Sequence, residues 1–335
     1  MTRRCLTVIT PCYNEEGNVE LCARALREIM ERELPDYDYE HIFADNASRD
    51  QTFSLIAAMA AKDNHIKGIR NSRNIGAFRN IFHALHYASG DAVVVMLAAD
   101  LQDPPDVIPQ FVRLWEQGNL IVYGVRSQRE EPWWLRTCRR IYYRLVKKMS
   151  DIYLPVDAGE FQLIDRTVLQ SLQQVDDYYP YVRGLVARTG MKSAQVSYTW
   201  KRRQHGVSSN NLLALIDQAL NGIISTSKTP IRICIGIGVV LAIVSLLYAF
   251  VSLLYSLIFP GAAPMGMPTV IVAQFFFNGV ILFFFGILGE YVSAIHDQVR
   301  RGPPMIPLDL INFEDSVVQQ KKMRRVFVTE PSERP

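Results

Sequence analysis

The residues whose types and spacing carry the most chemistry lie in one stretch, DAVVVMLAADLQDPP, from Asp91 to Pro105. Asp100, Gln102 and Asp103 follow a short apolar run, and carboxylate and amide oxygens so placed suit a hard divalent cation, which can itself hold a diphosphate. A plainer reading makes Asp100 and Asp103 loop residues that cap the next helix. Similar polar sets recur upstream: Asn14 and Glu15 in PCYNEE, Asp45 and Asn46 in DNASRD, Arg73 and Asn74 in SRNIG. Downstream, Asp157 and Glu160 flank Gly159 before an alternating run, and Arg126 follows the apolar segment 120–125. Arg203 and Ser208 belong to KRRQHGVSS, a basic loop suited to clasping phosphate.

Each set needs an element to hold it. Leu6–Thr10, Tyr39–Ala44, Ile66–Ile69, Val93–Leu97 and Leu120–Tyr123 read as short buried strands. Between them Val19, Cys22, Ala25, Leu26 and Ile29 recur at helical spacing, as do Phe78, Ile81, Phe82, Leu85 and Ala88, with Gly90 ending that helix. This alternation predicts an α/β domain with a mostly parallel, doubly wound sheet. Its ligand crevice lies outside the carboxyl ends of the strands, where four of the polar sets fall. Any one of these loops reads most simply as a turn with a helix cap; four on one edge read as a site.

From Ile233 to Gly289 there is no Asp, Glu, Lys or Arg, enough for two membrane crossings of about 20 residues each. Lys228 and Arg232 precede this block, and Arg300, Arg301, Lys321, Lys322, Arg324 and Arg325 follow it, so both ends are expected on the cytoplasmic side. The expected division is 1–210 catalytic, 211–232 a juxtamembrane amphipathic helix, 233–292 a two-helix transmembrane hairpin and 293–335 a cytoplasmic tail, poorly structured past Pro304. WWLRTCRRIYYRLVKKM at 133–149 reads as a basic amphipathic helix, packed on the core or lying on anionic headgroups. A formal net charge of +3 is too small to argue for nucleic acid. Five cysteines without CxxC spacing fit a reducing compartment, and the N-terminal apolar run is too short for a signal peptide.

PCYNEE, DNASRD, SRNIGAFRN, ADLQDPP and GEFQLIDR, followed by a basic loop and two spans ending in GEY, resemble the family 2 glycosyltransferases that load sugars onto polyprenyl phosphate. The likeness runs nearly to Pro304 and is strongest to bacterial undecaprenyl-phosphate glucosyltransferases, more distant to dolichyl-phosphate mannose synthase. It implies a GT-A fold, a nucleotide-sugar donor such as UDP-glucose, Mg2+ or Mn2+, inversion at the anomeric carbon, and a multi-pass protein of the inner membrane with its catalytic domain in the cytoplasm. A homo-oligomer is left open. By the same resemblance, Pro11, Tyr13 and Glu15 line the nucleotide, Asp45 faces the base, and Asp100 with Gln102 meets the metal and diphosphate. Glu160 takes the place of the family's acid and is the expected catalytic residue, with Asp157 as second choice; Arg203 and Ser208 match the family's basic loop. The sequence departs from the pattern at Ala98, where the family carries an acid, at Asn46-Ala47 in place of Asp-Gly, and at Glu160 in place of Asp. Two competing readings are a processive polysaccharide synthase, which lacks support because no QxxRW segment is present, and a non-catalytic membrane-bound nucleotide-sugar-binding subunit.

Overall fold

The computed structural model describes residues 3–128, 158–177, 180–200, 229–258, 267–300 and 306–313. The expected basic helix at 133–149, the basic loop with Arg203 and Ser208, the segment 211–227 and Asp157 lie outside them. The chain forms two compact units, one built on a sheet and one on two long helices.

In the first unit β1 (Cys5–Cys12), β2 (Asp38–Asp45), β3 (Ile66–Asn71) and β4 (Ala92–Val94) alternate with α1 (Val19–Glu33), α2 (Thr52–Ala60) and α3 (Ala77–Leu85). β4, β1, β2 and β3 pair in that order and in parallel, as the alternation requires. The chain continues through α4 (Ile108–Glu116), β5 (Ile121–Gln128), β6 (Ala158–Asp165), α5 (Arg166–Gln173), α6 (Val182–Arg188) and β7 (Ser193–Thr199), and ends in β8 (Pro307–Ile311). The eight strands stand in the order β7-β5-β6-β4-β1-β2-β3-β8. Period-2 alternation sends Ile9, Ile42, Val93, Tyr123 and Ile164 to the face covered by α3, α5 and α6, while Leu6, Val8, Val94 and Leu163 face α1 and α4.

Three expectations need correction. The sheet is mixed, because β6 runs antiparallel to β4 and β5, and β8 antiparallel to β3. Hydrophobic alternation dictates which face a residue takes and is silent on strand direction, so the pattern of 158–164 could not show this. Gly90 does not end the third helix, which stops at Leu85; it lets the chain pass β1, where a Cβ would come within 2.7 Å of the Thr7 nitrogen. Finally, the tail past Pro304 is not without structure.

That tail forms the edge strand β8. Ile311 packs in the cluster around Phe43 and Ile56, and Phe313 meets Tyr87 with ring centroids 5.4 Å apart. The Ile306 carbonyl accepts from the Ser72 N–H at 3.2 Å, and Arg70 pairs with Asp309 at 3.6 Å. Asn312, at φ 60°, donates its amide to the carbonyls of Ala60 (2.8 Å) and Ile66 (2.9 Å).

The second unit holds α7 (Thr229–Ile258) and α8 (Met267–Arg300). Among the described residues one stretch, Phe276–Arg300, is long and apolar enough to cross a membrane.

The Asn312 clasp carries a direct prediction. Asn312→Gly, which keeps the left-handed backbone but loses both bonds, should cost about 1–3 kcal/mol, and Asn312→Ala a further ~1 kcal/mol for the strained φ. Thermal midpoints in detergent should rank wild type, Gly, Ala; equal midpoints would refute the clasp.

Candidate functional site

The loops after β1, β2 and β3 are stitched into one rim by side chain to backbone hydrogen bonds. Asn14 N–H donates to the Ser48 hydroxyl at 2.9 Å, Glu15 N–H to Thr52 at 2.8 Å, and Arg49 N–H to the Asn14 side-chain oxygen at 2.9 Å. Asn46 links all three loops. Its backbone N–H donates to the Cys12 carbonyl at 2.9 Å, its side-chain amide donates to Asn74 at 2.9 Å, and its side-chain oxygen accepts the Ile75 N–H at 2.9 Å. The rim holds left-handed non-glycine residues at Asn14 (φ 56°) and Ala47 (φ 60°), a cost the cross-links sustain.

Around the rim, the predicted residues divide by exposure. Tyr13 is 42% exposed, and Asn14 and Arg73 are also open to a ligand. Asp45 is fully buried, with both oxygens accepting from the Ser48 N–H at 3.2 and 3.4 Å. Burial pushes its carboxyl up, and the Ser48 bonds and Arg70 hold it back. Glu15 accepts from the Asn18 amide at 2.6 Å, and Pro11 is the half-buried penultimate residue of β1.

The acidic loop leaves β4 and is braced from behind. Arg126, on β5, donates to both Asp103 oxygens at 3.1 and 3.2 Å, and Tyr198, on β7, donates its hydroxyl to the same carboxylate. The Arg126 guanidinium also lies over the Trp200 ring at 5.1 Å. Neither acid caps a helix: the turn at Pro105–Val107 and α4 both begin without a side-chain cap. Asp103 is 1% exposed and serves as an anchor; Asp100, 5% exposed, accepts the Gln102 N–H at 3.2 Å beside Leu101, whose φ is 55°. Among the described residues no three His, Cys, Asp or Glu side chains form a metal cage. Asp100 and Gln102 therefore fit a cation only as a partial shell, which a substrate diphosphate and water would complete.

Because β6 runs antiparallel to β4, its amino end lies at the edge where the acidic loop emerges. Glu160 is the third residue of β6 and is 9% exposed. Burial pushes its carboxyl up; the Arg183 charge, the Arg183 backbone N–H and Arg126 pull it partly back. Arg183, near the start of α6, donates to the Ala158 carbonyl and, through Nε, to the Tyr181 hydroxyl at 3.0 Å. Phe78 at the start of α3 meets Tyr181 edge-on at 6.5 Å, tying the third loop to the same corner. Arg126 approaches Gly159 closely enough that a Cβ there would stand 3.4 Å from its guanidinium, so one arginine links the acidic loop to the Glu160 strand.

Among the described residues no thiol or imidazole offers itself as a nucleophile or base at the rim. Burial holds the Cys12 thiol well above its usual range and pushes Cys22 up to about 12. His41, bonded to Thr10 at 2.8 Å, is pushed down by burial to about 3. A cavity of about 820 Å3 lined by Arg24, Arg27, Tyr39, Lys62 and His65 opens at the amino end of β2 and β3 and includes none of the rim residues. Sequence reading missed Tyr198, Arg183 and the bracing role of Asp103. Nothing in SAQVSYT or YVRGLVAR distinguishes these side chains from ordinary strand and helix residues.

The glycosyl transferase family 2 model matches residues 7–173. The uncharacterized glycosyltransferase YkcC of Bacillus subtilis (strain 168) is 32% identical over 298 residues, covering 89% of this chain and 91% of that one. The SfII prophage-derived bactoprenol glucosyl transferase of Shigella flexneri is 32% identical over 302 residues, 90% of this chain and 96% of that one. Among solved structures, a mannosyltransferase from Pyrobaculum calidifontis in complex with GDP-Man and Mn2+ is 16% identical with a TM-score of 0.47, covering 98% of this chain and 81% of that one. A likeness that loose is no guide to individual side chains.

The raised Glu160 carboxyl fixes the sign of a pH effect. Folding binds its proton more tightly than the unfolded chain does, so ionising Glu160 weakens the fold as pH rises above the ordinary value of 4.5. Glu160→Gln should match wild-type stability near pH 4 and exceed it increasingly toward neutrality. Parallel stability curves for the two proteins between pH 4 and pH 7 would contradict this environment.

Proposed function

The chain belongs to glycosyl transferase family 2, and on that premise we propose that this glycosyltransferase moves glucose from UDP-glucose to undecaprenyl or another polyprenyl phosphate with inversion at the anomeric carbon. The observation that carries the reading is the convergence of the cross-linked rim, the braced acidic loop and Glu160 at one edge of the GT-A sheet. A relative bearing the name bactoprenol glucosyl transferase at 32% identity over 90% of this chain supports the choice of sugar and lipid.

In the reaction a phosphate oxygen of the lipid forms a bond to the anomeric carbon while the bond to the nucleoside diphosphate breaks, the electron pair leaving with the diphosphate. A phosphate monoester has its second pKa near about 6, so the nucleophile is largely ionised without a strong base. Glu160, held in place by Arg183, then orients the acceptor more than it deprotonates it, and Asp157 is the second candidate for that role. The exposed Tyr13 ring, Pro11, Asn14 and Glu15 line the nucleotide, and Asp45 and Asn46 shape the base end. Arg73 and the basic loop with Arg203 and Ser208 face the diphosphate. Arg126 acts on the donor through the acidic loop it braces. A divalent ion, Mg2+ or Mn2+, held by Asp100 and Gln102 would neutralise the charge that develops on the leaving diphosphate.

A membrane-bound acceptor calls for a membrane-bound enzyme, and the apolar helices support one. Tyr248, Leu282 and Phe283 are 71%, 70% and 65% exposed, which in water would leave an apolar surface far beyond that of an ordinary soluble protein. Topology adds a constraint. β8 follows α8 in the chain and pairs with β3 in the sheet that precedes α7, which supports an even number of crossings. α7, about 45 Å long by its 30 residues, is long enough to cross beside Phe276–Arg300. The basic flanks at Lys228, Arg232, Arg300 and Arg301 orient the catalytic unit to the cytoplasmic face of the inner membrane.

Transfer of radiolabelled sugar from a panel of UDP- and GDP-sugars to a short polyprenyl phosphate tests the reading. UDP-glucose should be used, and folded Asp100→Ala should lose roughly 100- to 1000-fold in turnover and its donor-dependent metal binding. Full activity of that variant would leave Asp100 without a role. A cysteine placed at Met265, between the two apolar segments in the sequence, should react with impermeant reagent only from outside the cell; labelling solely from the cytoplasm would overturn the hairpin.

A further inference from the structure

Gln162 carries an unexplained cost. Both atoms of its side-chain amide are buried without a hydrogen-bond partner, and so is Oε2 of Glu160, two residues earlier on β6. Gln162 is fully buried; it pairs across the sheet with Tyr123, and the Val95 N–H takes its backbone carbonyl at 2.9 Å. Ile164, Val95 and Tyr123 on that face form an apolar cluster, so the pocket suits a methionine or leucine at least as well as an amide. Native proteins seldom leave a desolvated amide with neither its donor nor its acceptor used, and one that persists calls for a reason other than packing.

Strand geometry supplies the reason. Residues two apart on a strand share a face, with Cα atoms about 6.5–7 Å apart, within joint reach of a glutamate and a glutamine side chain. Glu160 lies at the loop edge, and Gln162 lies one step deeper on the same face. The donors already around the Glu160 carboxyl come from α6, through the Arg183 backbone N–H, and leave Oε2 unmatched. Resting on the reading of Glu160 as the catalytic acid, we propose that Gln162 is a positioning residue whose Nε2–H donates to the Glu160 carboxylate when substrate is bound, fixing the rotamer that faces the acceptor phosphate. An ionised carboxylate in so apolar a place requires donors on more than one side, and β6 provides the second.

Gln162→Met keeps the length and volume of the side chain and removes the amide. With whichever sugar nucleotide of the panel supports transfer, the variant should be more stable to heat than wild type yet turn over roughly tenfold to hundredfold more slowly, as expected when a supporting hydrogen bond to a functional group is lost. The acid limb of its kcat profile should move to higher pH, because the carboxylate has lost a donor. In a Glu160→Gln background the same change should have no further effect on turnover. Wild-type turnover and an unmoved acid limb in Gln162→Met, with Glu160→Gln inactive, would overturn this inference and leave the reading of Glu160 intact. Full turnover of Glu160→Gln would sink both. Gln162→Asn, which keeps an amide but draws it away from Glu160, serves where the Met variant fails to fold; it should show the same shift of the acid limb, and an unshifted profile again counts against the proposal.

Discussion

Polar loops at the edge of a sheet hold a common shape only if something joins them, because each is otherwise satisfied by water and free to move on its own. Here the joint is the side chain and backbone of Asn46, which connect the end of β1, its own loop and the turn before α3. An amide can do this because it donates and accepts at once, whereas an aspartate at the same position could not donate to Asn74. The left-handed backbone at Asn14 and Ala47 is tolerated within that lattice, so the strain and the cross-links belong to one arrangement.

The acidic loop depends on a different device. Asp103 is withdrawn into the structure by Arg126 and Tyr198, two strands that run parallel to each other. Breaking a buried pair of this kind leaves an uncompensated charge, which makes the brace stiff. That stiffness delivers Asp100 and Gln102 to the rim with little freedom. In the proposed reaction one carboxylate, instead of the pair in the family pattern, would leave affinity for a cation to the substrate diphosphate, in keeping with an ion that retains several waters.

β8 joins the two halves of the chain's behaviour. Pairing with β3 brings the segment after the apolar helices back to the sheet, and its first contacts, Ile306 with Ser72 and Asp309 with Arg70, fall at the root of the loop that carries Arg73. The loop that carries Arg73 is thus supported by residues more than two hundred positions later in the sequence. Such an edge strand also covers backbone groups of β3 that would otherwise be open to pairing with another chain.

The sequence by itself determined the parts that depend on local pattern. Short runs of four to six mostly apolar residues located β1 to β5, helical spacing located α1 and α3, and the polar sets that follow the strands had to converge, because parallel strands bring their carboxyl ends to one edge. Glu160 was legible for the same reason, as an acid at the start of an alternating strand. What only the tertiary structure decided are the matters of partnership. Whether Asp103 caps a helix or anchors to Arg126 depends on β5 and β7, and whether 307–311 is tail or strand depends on an open edge at β3. The direction of β6 depends on neighbours far away in the chain, and so does the isolation of the Gln162 amide. A residue's type fixes what it can donate or accept, and its spacing fixes the face it occupies; the group it meets is chosen by the packing of segments that no local pattern relates.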